Sequence, residues 1–365
     1  MTPRPFTLVA ELTYRCPLGC PYCSNPVEYG RFTRELDTAS WQRVFQEAAA
    51  LGVVQVHLTG GEPLLRDDLE LLIRFAQEAE LYTNVVTSGV PLDRKRWQRI
   101  VHAGVDHVQI SLQAPTQAAS DRIAGRHAFD DKRAALGWAL ESGVPLTLNV
   151  VLHRESLAGV EGMIDFALEF GIPRLELAHT QYHGFALKNR DTLLPDAAAV
   201  EQVRRVVKAA RARLAGKLEI THVLPDYHAG RPKACMDGWG QRYIHVAPDG
   251  LVAPCHSARS MTSLTFENVS ARSLSYIWHE APSFRAFRGY EWMKEPCRSC
   301  ERRELDFGGC RCQAFALTGD ASATDPACVL APAHELVLAA REAAAARVSD
   351  PEPRRYLYRS PRADV

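Results

Sequence analysis

The sequence predicts an α/β protein in which a partial, TIM-like (β/α)6 barrel precedes a smaller cysteine-rich domain. Three observations predict this fold. Six short β-type runs alternate with amphipathic helical stretches, polar and glycine residues collect where the runs end, and seven of the ten cysteines follow residue 234. We place the barrel at residues 1–190, a helical linker at 191–230, the cysteine-rich domain at 231–330, and a C-terminal helix and tail at 331–365, whose last residues are expected to fray.

The β-type runs are rich in Val, Leu and Thr, and several are apolar almost throughout. This is typical of strands that are covered on both faces in a parallel sheet. The runs are 8–13, 53–59, 83–87, 107–112, 146–151 and 175–179. The helical stretches are 38–51, 68–80, 94–102, 131–141, 157–170, 196–215 and 333–347. Gly104, Gly143 and Gly171 are placed to end three of them.

Polar and glycine residues follow the ends of four strands. They are Thr59-Gly60-Gly61-Glu62, Thr87-Ser88-Gly89, Ser111-Leu112-Gln113 and His179-Thr180-Gln181. Turns favour Gly and Ser in any protein. In barrels and open α/β sheets, however, the carboxyl ends of the strands carry the chemistry, so four coincidences favour a site at this edge.

Composition excludes several classes of function. The 43 Lys and Arg residues balance 43 Asp and Glu residues, whereas a broad nucleic-acid interface needs clustered cations. No apolar run approaches the ~20 residues that span a bilayer, and we expect no signal peptide. The sequence thus predicts a cytoplasmic protein with no nucleic-acid or membrane partner. Cytoplasmic thiols stay reduced, so the ten cysteines are not expected to form disulfides.

The first three cysteines lie in one loop, directly after the first strand, as Cys16-x-x-x-Cys20-x-x-Cys23. Three thiolates can hold three irons of a 4Fe–4S cluster and leave the fourth iron for another ligand. Zinc would need a fourth protein ligand, and no other His or Cys lies near in the sequence. Unrelated core cysteines rarely cluster in this way.

Seven cysteines lie in the second domain, one fewer than the eight ligands that two protein-ligated iron–sulfur clusters need. They are Cys235, Cys255, Cys297, Cys300, Cys310, Cys312 and Cys328. Asp306 could supply the eighth ligand, and His245 and His256 are rivals for that role. The competing interpretation is a zinc ribbon built from the Cys297–Cys300 and Cys310–Cys312 pairs, which leaves the other three cysteines unexplained.

The three-cysteine loop, with Tyr22 before its last cysteine, resembles the signature of radical S-adenosylmethionine (SAM) enzymes. Gly60-Gly61-Glu62-Pro63 resembles the GGEP segment of that family, whose backbone receives the SAM amino group. The resemblance implies that the three cysteines hold a SAM-cleaving 4Fe–4S cluster, which generates a 5′-deoxyadenosyl radical. It also implies SAM contacts from residues at other strand ends, namely Ser88, Ser111, Gln113 and Asn149.

The second domain resembles the SPASM domain of radical SAM enzymes that modify ribosomal peptides, because Gly250-x4-Cys255 and the later CxxC block fit its pattern. Segments between about residues 7 and 330, such as Asp306-Phe-Gly-Gly-Cys-Arg-Cys, resemble the PqqE family of pyrroloquinoline quinone (PQQ) biosynthesis. That resemblance implies two auxiliary clusters, of the 4Fe–4S or 2Fe–2S type. One would be held by Cys297, Cys300, Asp306 and Cys328, and the other by Cys235, Cys255, Cys310 and Cys312.

The same resemblance implies a reaction, a C–C crosslink between a Glu and a Tyr side chain of the precursor peptide PqqA. It also implies the peptide carrier PqqD and an external electron donor. Four residues at the end of the last predicted strand are candidate substrate contacts, although each could equally be a structural residue of the cavity wall: His179, Gln181, Tyr182 and His183.

The sequence departs from the family pattern at Ala114, where an acidic residue is usual, and at Tyr182-His183, where Tyr-Tyr is expected. Two alternative functions stay open. One is another SPASM peptide maturase that forms thioether or decarboxylative crosslinks, and the other is a non-catalytic iron–sulfur electron carrier.

Overall fold

The structure is a computed structural model and describes residues 3–346 and 356–359. The strands of this described part are β1 (Thr7–Glu11), β2 (Gln55–Thr59), β3 (Tyr82–Thr87), β4 (His107–Ser111), β5 (Leu146–Leu152), β6 (Arg174–His179), β7 (Glu219–Val223), β8 (Tyr243–Val246) and β9 (Val252–Ala253).

Helices follow most of the strands. They are α1 (Thr38–Ala50), α2 (Leu69–Glu78), α3 (Arg94–His102), α4 (Gln117–Ala124), α5 (Phe129–Ser142), α6 (Val160–Glu169), α7 (Gly184–Lys188), α8 (Arg190–Leu193), α9 (Ala197–Arg213), α10 (Leu274–Glu280), α11 (Pro282–Arg285), α12 (Arg303–Asp306), α13 (Arg311–Thr318) and α14 (Glu335–Ala346).

The chain divides into two compact units. The first unit contains the described parts of Met1–Tyr14, Asn25–Thr83 and Ala229–Ala339. In it, β1 pairs in parallel with both β2 and β8, so that Ala10 lies opposite Leu58 on one side and Val246 on the other. The short strand β9 runs antiparallel to β8.

The second unit contains the described parts of Arg15–Ser24, Asn84–His228 and Ala340–Val365. Its strands pair in parallel in chain order from β3 to β7. Strand β5 is central in this order, and its burial alternates along its length, with Leu146, Leu148 and Val150 buried. The intervening helices are long enough to cross back over a parallel sheet, as β/α units require.

The predicted α/β fold with a partial barrel is confirmed, since all six predicted strands and all seven predicted helices are present with small shifts at their ends. Asp37 caps α1, because its side chain accepts a hydrogen bond of 2.8 Å from the amide of Ser40. The predicted domain boundaries stay a prediction. None of the helices in the described part of the chain is long and apolar enough to cross a bilayer.

Several elements were not predicted. The helix α4 and strands β7 to β9 are absent from the sequence-based assignment, and residues 157–159 form a 3₁₀ turn before α6. The cysteine-rich segment also has an apolar core of its own, in which Trp239, Met261 and Cys312 are buried. Hydrophobic packing therefore helps to hold this segment together.

Candidate functional site

The loop with the first three cysteines lies against an apolar wall in the second unit. The side chains of Cys16 and Cys20 pack on a buried cluster formed by Leu18, Val90, Ala124 and Ala128. The amide of Cys23 donates to the carbonyl of Cys20 at 3.2 Å, which folds the last two cysteines into one turn. Each of the three cysteine residues is partly exposed. Three such cysteines beside an apolar wall fit the chemistry of a cluster with one open iron.

Tyr22 is held in place by polar residues from a strand end. Its hydroxyl accepts a hydrogen bond of 3.0 Å from Nε2 of Gln113, which is itself 1% exposed. Burial raises the pKa of Tyr22, and the hydroxyl also lies against the thiol of Cys20. Two residues that the sequence assigns separately to the site, Tyr22 and Gln113, are thus brought into direct contact.

A buried cation, Lys132 of α5, joins the ends of two neighbouring strands. Its side chain is 0% exposed, and Nζ donates to the carbonyl oxygens of Ser88 at 3.0 Å and of Ser111 at 2.8 Å. Burial raises the pKa of the Cys20 thiol, and the positive charge of Lys132 opposes that shift. Lys132 therefore stabilises both the strand ends and a thiolate in the cysteine loop.

The end of β5 carries polar atoms that lack partners among the described residues. Asn149 lies directly opposite Ser111 in the register of β4 and β5, and its Oδ1 is buried without a hydrogen bond. Both ring nitrogens of His153 are also buried without a hydrogen bond, and the centroid of the His153 ring is 5.6 Å from that of the Tyr22 ring. Burial lowers the pKa of His153 to about 4, so the ring is neutral at pH 7. Orphaned polar atoms of this kind fit a small polar ligand.

In the first unit, the two glycines after β2 approach the end of β1 closely. The amide of Gly61 donates to the carbonyl of Thr13 at 2.6 Å, and Gly60 has φ +151°. A Cβ atom on Gly60 would lie 2.4 Å from that same carbonyl oxygen. Glu62 is fully buried, and its Oε1 accepts from the amide of Leu64, which opens the turn Pro63–Leu65. The local backbone thus depends on glycine at position 60.

The four candidate substrate contacts do not share one environment. Gln181 is exposed, whereas His179, Tyr182 and His183 are buried. Burial raises the pKa of Tyr182, whose ring packs 5.0 Å from that of Tyr227. The contact with Tyr227 indicates a structural packing role for Tyr182. The assignment of the four residues as substrate contacts remains a prediction.

The seven later cysteines, all in the first unit, fall into two groups. In one group the thiol of Cys235 lies against Cys310, and that of Cys312 lies against both Cys310 and Cys255. The contact with Cys310, together with burial, raises the pKa of Cys235 well above its usual range. Four crowded, buried thiols of this kind fit ligation by a polynuclear metal cluster, because iron replaces the protons and offsets the thiolate charges.

The other group lines one small cavity, and its members include Cys297, Cys300, Asp306 and Cys328. Asp306 is 7% exposed, and its Oδ1 accepts from the amide of Gly308 at 3.0 Å. The set that the sequence resemblance implies is thus assembled around one space, with a carboxylate among three thiols.

The two rival ligands lie elsewhere. Nε2 of His245 is 3.0 Å from Oε2 of Glu11, and Nδ1 of His256 is 3.9 Å from the Cys255 thiol. Burial favours the neutral form of Glu11, but the nearby His245 outweighs it, so the pKa of Glu11 is lowered overall. Neither histidine lines the cavity that contains Asp306.

Sequence reasoning missed Lys132, His153 and Asp325. Lys132 could have been found, since it lies three and four positions before Ala135 and Leu136 on the buried face of α5. Asp325 is 1% exposed and accepts from the amide of Cys310 at 2.7 Å. Burial raises the pKa of Asp325 to about 6. No local sequence pattern indicates a role for His153 or Asp325, because the residues they contact are distant in the sequence.

Comparison with known proteins agrees with this geometry. Residues 10–167 match the family described as the Radical SAM superfamily, and residues 235–301 match a domain described as an iron–sulfur cluster-binding domain, SPASM. A protein of Bradyrhizobium diazoefficiens named PqqA peptide cyclase is 49% identical over 98% of this chain and 93% of its own length. One of Gluconobacter oxydans with the same name is 51% identical over 91% of this chain and 93% of its own.

Solved structures show the same fold. SuiB of Streptococcus suis bound to S-adenosylmethionine aligns with a TM-score of 0.72 at 18% identity, over 89% of this chain and 77% of that one. The enzyme anSMEcpe with bound AdoMet and Cp18Cys peptide aligns with a TM-score of 0.64 at 15% identity, over 94% and 98% of the two chains.

Replacing Gly60 with alanine is expected to weaken SAM binding at least about tenfold, because the new Cβ must displace the backbone of Thr13. The dissociation constant for SAM, measured by equilibrium dialysis on anaerobically reconstituted protein, checks this. Gly137→Ala is the matched control, since Gly137 lies within α5 and an added Cβ there meets nothing within 4 Å. Equal affinities for the G60A and G137A proteins would contradict the expectation.

Replacing Lys132 with methionine should lower stability by about 1–3 kcal/mol, because two buried strand-end carbonyls lose their charged donor. Thermal unfolding of the reconstituted protein measures the loss. Lys95→Met, at an exposed position of α3, should leave the melting temperature unchanged. The inference fails if both variants melt together with the unsubstituted protein.

Proposed function

Because this chain belongs to the PqqA peptide cyclase family of radical SAM enzymes, we propose that it crosslinks a Glu to a Tyr side chain of the precursor peptide PqqA in PQQ biosynthesis. The observation that carries the proposal is an identity of about half over nearly the full length of both chains. The ten cysteines and Asp306 are all present in groups that suit the cofactors of such an enzyme. The chain is thus a radical SAM enzyme with an iron–sulfur SPASM domain.

In this proposal Cys16, Cys20 and Cys23 bind a 4Fe–4S cluster whose open iron binds SAM. Together these cofactors supply the one-electron cleavage that yields a hydrogen-abstracting radical. The protein orients SAM through Gly60 and Gly61 and through polar residues that lie in or just after β3, β4 and β5: Ser88, Ser111, Gln113 and Asn149. Tyr22 and Glu62-Pro63 position the two loops, since each is packed or hydrogen-bonded locally. The apolar wall at Val90 and Ala124 covers one side of the cysteine loop.

The peptide loses two hydrogens when the bond forms. One leaves the Glu side chain as a hydrogen atom, and the resulting carbon adds to the Tyr ring. The ring then regains aromaticity by losing a proton and an electron. Residues that face the peptide would accept the proton, and among the candidate contacts His179, Gln181, Tyr182 and His183 only the two imidazoles can take it up.

The electron requires an acceptor, and the two cysteine groups of the SPASM domain are suited to hold one. We assign one auxiliary cluster to Cys235, Cys255, Cys310 and Cys312, and the other to Cys297, Cys300, Asp306 and Cys328. The grouping supports this assignment over a zinc ribbon, because the Cys310–Cys312 pair lies with Cys235 and Cys255 and not with Cys297 and Cys300. An external donor must also supply the electron that cleaves SAM.

The partners and location follow from the same family membership. We propose that the peptide carrier PqqD presents PqqA, and that the reaction takes place in the cytoplasm, where thiols remain available for cluster assembly. We further propose the domain division suggested by the sequence, with the barrel at 1–190, the linker at 191–230, the SPASM domain at 231–330 and the C-terminal helix and tail at 331–365.

Incubation of PqqA with the reconstituted enzyme, SAM, a reductant and the carrier should lower the peptide mass by that of two hydrogens and release 5′-deoxyadenosine. Mass spectrometry with fragmentation should locate the new bond between Glu and Tyr. An unchanged peptide beside free 5′-deoxyadenosine would contradict the substrate assignment. A thioether or decarboxylated product would identify the alternative peptide maturase.

Simultaneous replacement of Cys16, Cys20 and Cys23 by alanine should abolish 5′-deoxyadenosine formation. The iron of the auxiliary groups should be retained, because their ligands are separate residues. Chromatographic assay of 5′-deoxyadenosine and iron counting on the same preparation test both parts. Persistent SAM cleavage in the triple variant would contradict the catalytic role of the cysteine loop. If the protein is instead a non-catalytic electron carrier, the unsubstituted protein will not cleave SAM either.

A further inference from the structure

The C-terminal segment Tyr356–Arg359 is fixed at consecutive residues within the second unit, although its composition predicted a frayed tail. The amide of Leu357 donates to Oδ1 of Asn189 at 2.8 Å, and the carbonyl of Leu357 accepts from Nδ2 of the same side chain at 2.8 Å. The hydroxyl of Tyr358 donates to the carbonyl of Arg122 at 3.0 Å. Residues 356–359 are therefore docked, and the expectation of fraying is wrong for them.

The surface that receives this segment includes the loop with the first three cysteines. The amide of Arg359 donates to the carbonyl of Gly19 at 3.0 Å, and a Cβ on Gly19 would lie only 2.8 Å from the Arg359 carbonyl. Asn189, which binds Leu357 on both sides, also donates from Nδ2 to the carbonyl of Pro21 at 2.9 Å. One buried amide thus joins the cysteine loop to the C-terminal segment.

The docked segment places the positive charge of Arg359 next to Cys23. Arg359 is 2% exposed, and its Nη1 lies 3.7 Å from Sγ of Cys23. An arginine stays charged at any pH that a protein tolerates. A guanidinium confined in this way faces its partner with little screening by solvent. The apolar wall contributes no charge, so Arg359 adds to the cysteine loop a cation that the family motifs do not contain.

We propose that Arg359 is a positioning residue for the SAM-cleaving cluster, where its guanidinium beside the Cys23 sulfur raises the reduction potential of the cluster. This inference rests on the assignment of Cys23 as a cluster ligand in the proposed function. Reduction adds one negative charge to the cluster, and a fixed cation beside a ligand sulfur favours that state. The segment Tyr356–Arg359 serves to hold the cation in place, so the end of the chain takes part in a site near its beginning.

The test compares Arg359→Gln, which removes the charge, with Arg359→Lys, which retains it. Reconstituted proteins are titrated with reductant under anaerobic conditions and followed by electron paramagnetic resonance. The relevant signal is the one that changes when SAM is added, since only a cluster with an open iron binds SAM. In R359Q the ratio of reduced to oxidised cluster at a fixed potential should fall about tenfold, which is about 59 mV for a one-electron couple. R359K should stay within about threefold of the unsubstituted protein.

Arg126→Gln is the matched control, because Arg126 is an exposed arginine that lines the same surface cavity as Tyr358. It should leave the titration unchanged. Loss of the SAM-responsive signal in R359Q together with its retention in R359K would also support the proposal. The proposal is overturned if the cluster of R359Q has the same reduction potential as that of the unsubstituted protein, or if the reduction potential of R359K shifts as far as that of R359Q.

A chain that ends at residue 355 tests the docking separately. Without the segment, amide hydrogen exchange in residues 16–24 of the protein before cluster reconstitution should become faster, because Gly19 loses its bond to Arg359 and Asn189, which binds Pro21, loses both bonds to Leu357. Unchanged exchange would show that the segment does not hold the loop. Neither measurement uses PqqA, so failure of peptide crosslinking would leave this inference standing, whereas a SAM-responsive signal in the triple cysteine variant would remove the basis of both proposals.

Discussion

Ionising thiols that are buried side by side costs free energy, and other groups in this structure offset that cost. A thiolate loses its hydration on burial, and a second thiolate nearby disfavours ionisation further. The raised pKa values of Cys20, Cys235 and Cys312 express that cost. Iron offsets it directly when the clusters are bound. In the protein itself, Lys132 at the strand ends and Arg359 at the Cys23 sulfur place positive charge where the first cluster is expected.

Much of the fold could be predicted because its signals are local. An apolar run such as 146–151 predicts a strand, and Gly143 in a left-handed conformation ends α5 where the sequence places a stop. The cysteine loop could also be predicted, since three cysteines within eight residues have few explanations. The pairing of Ser111 with Asn149 follows from strand order and register once both ends are recognised as polar.

The features that escaped prediction depend on contacts between distant residues. The periodicity of α5 places Lys132 on its buried face, but only the tertiary packing places its Nζ beside two carbonyl groups. Arg359 lies in a segment rich in Arg, Pro and Asp, whose composition predicts no order, and this segment is fixed through Leu357 by Asn189, 168 positions earlier. The grouping of the seven later cysteines likewise required the tertiary structure, because CxxC and CxC spacings suit a zinc ribbon as well as they suit iron–sulfur clusters.

Iron and sulfide counting on anaerobically reconstituted protein, combined with zinc analysis and electron paramagnetic resonance, tests the central claim most directly. The claim is that ten cysteines and Asp306 form three separate cluster sites. It predicts about three clusters per chain, one of which responds to SAM, with no stoichiometric zinc. About one cluster accompanied by one zinc per chain would contradict the account and restore the zinc ribbon.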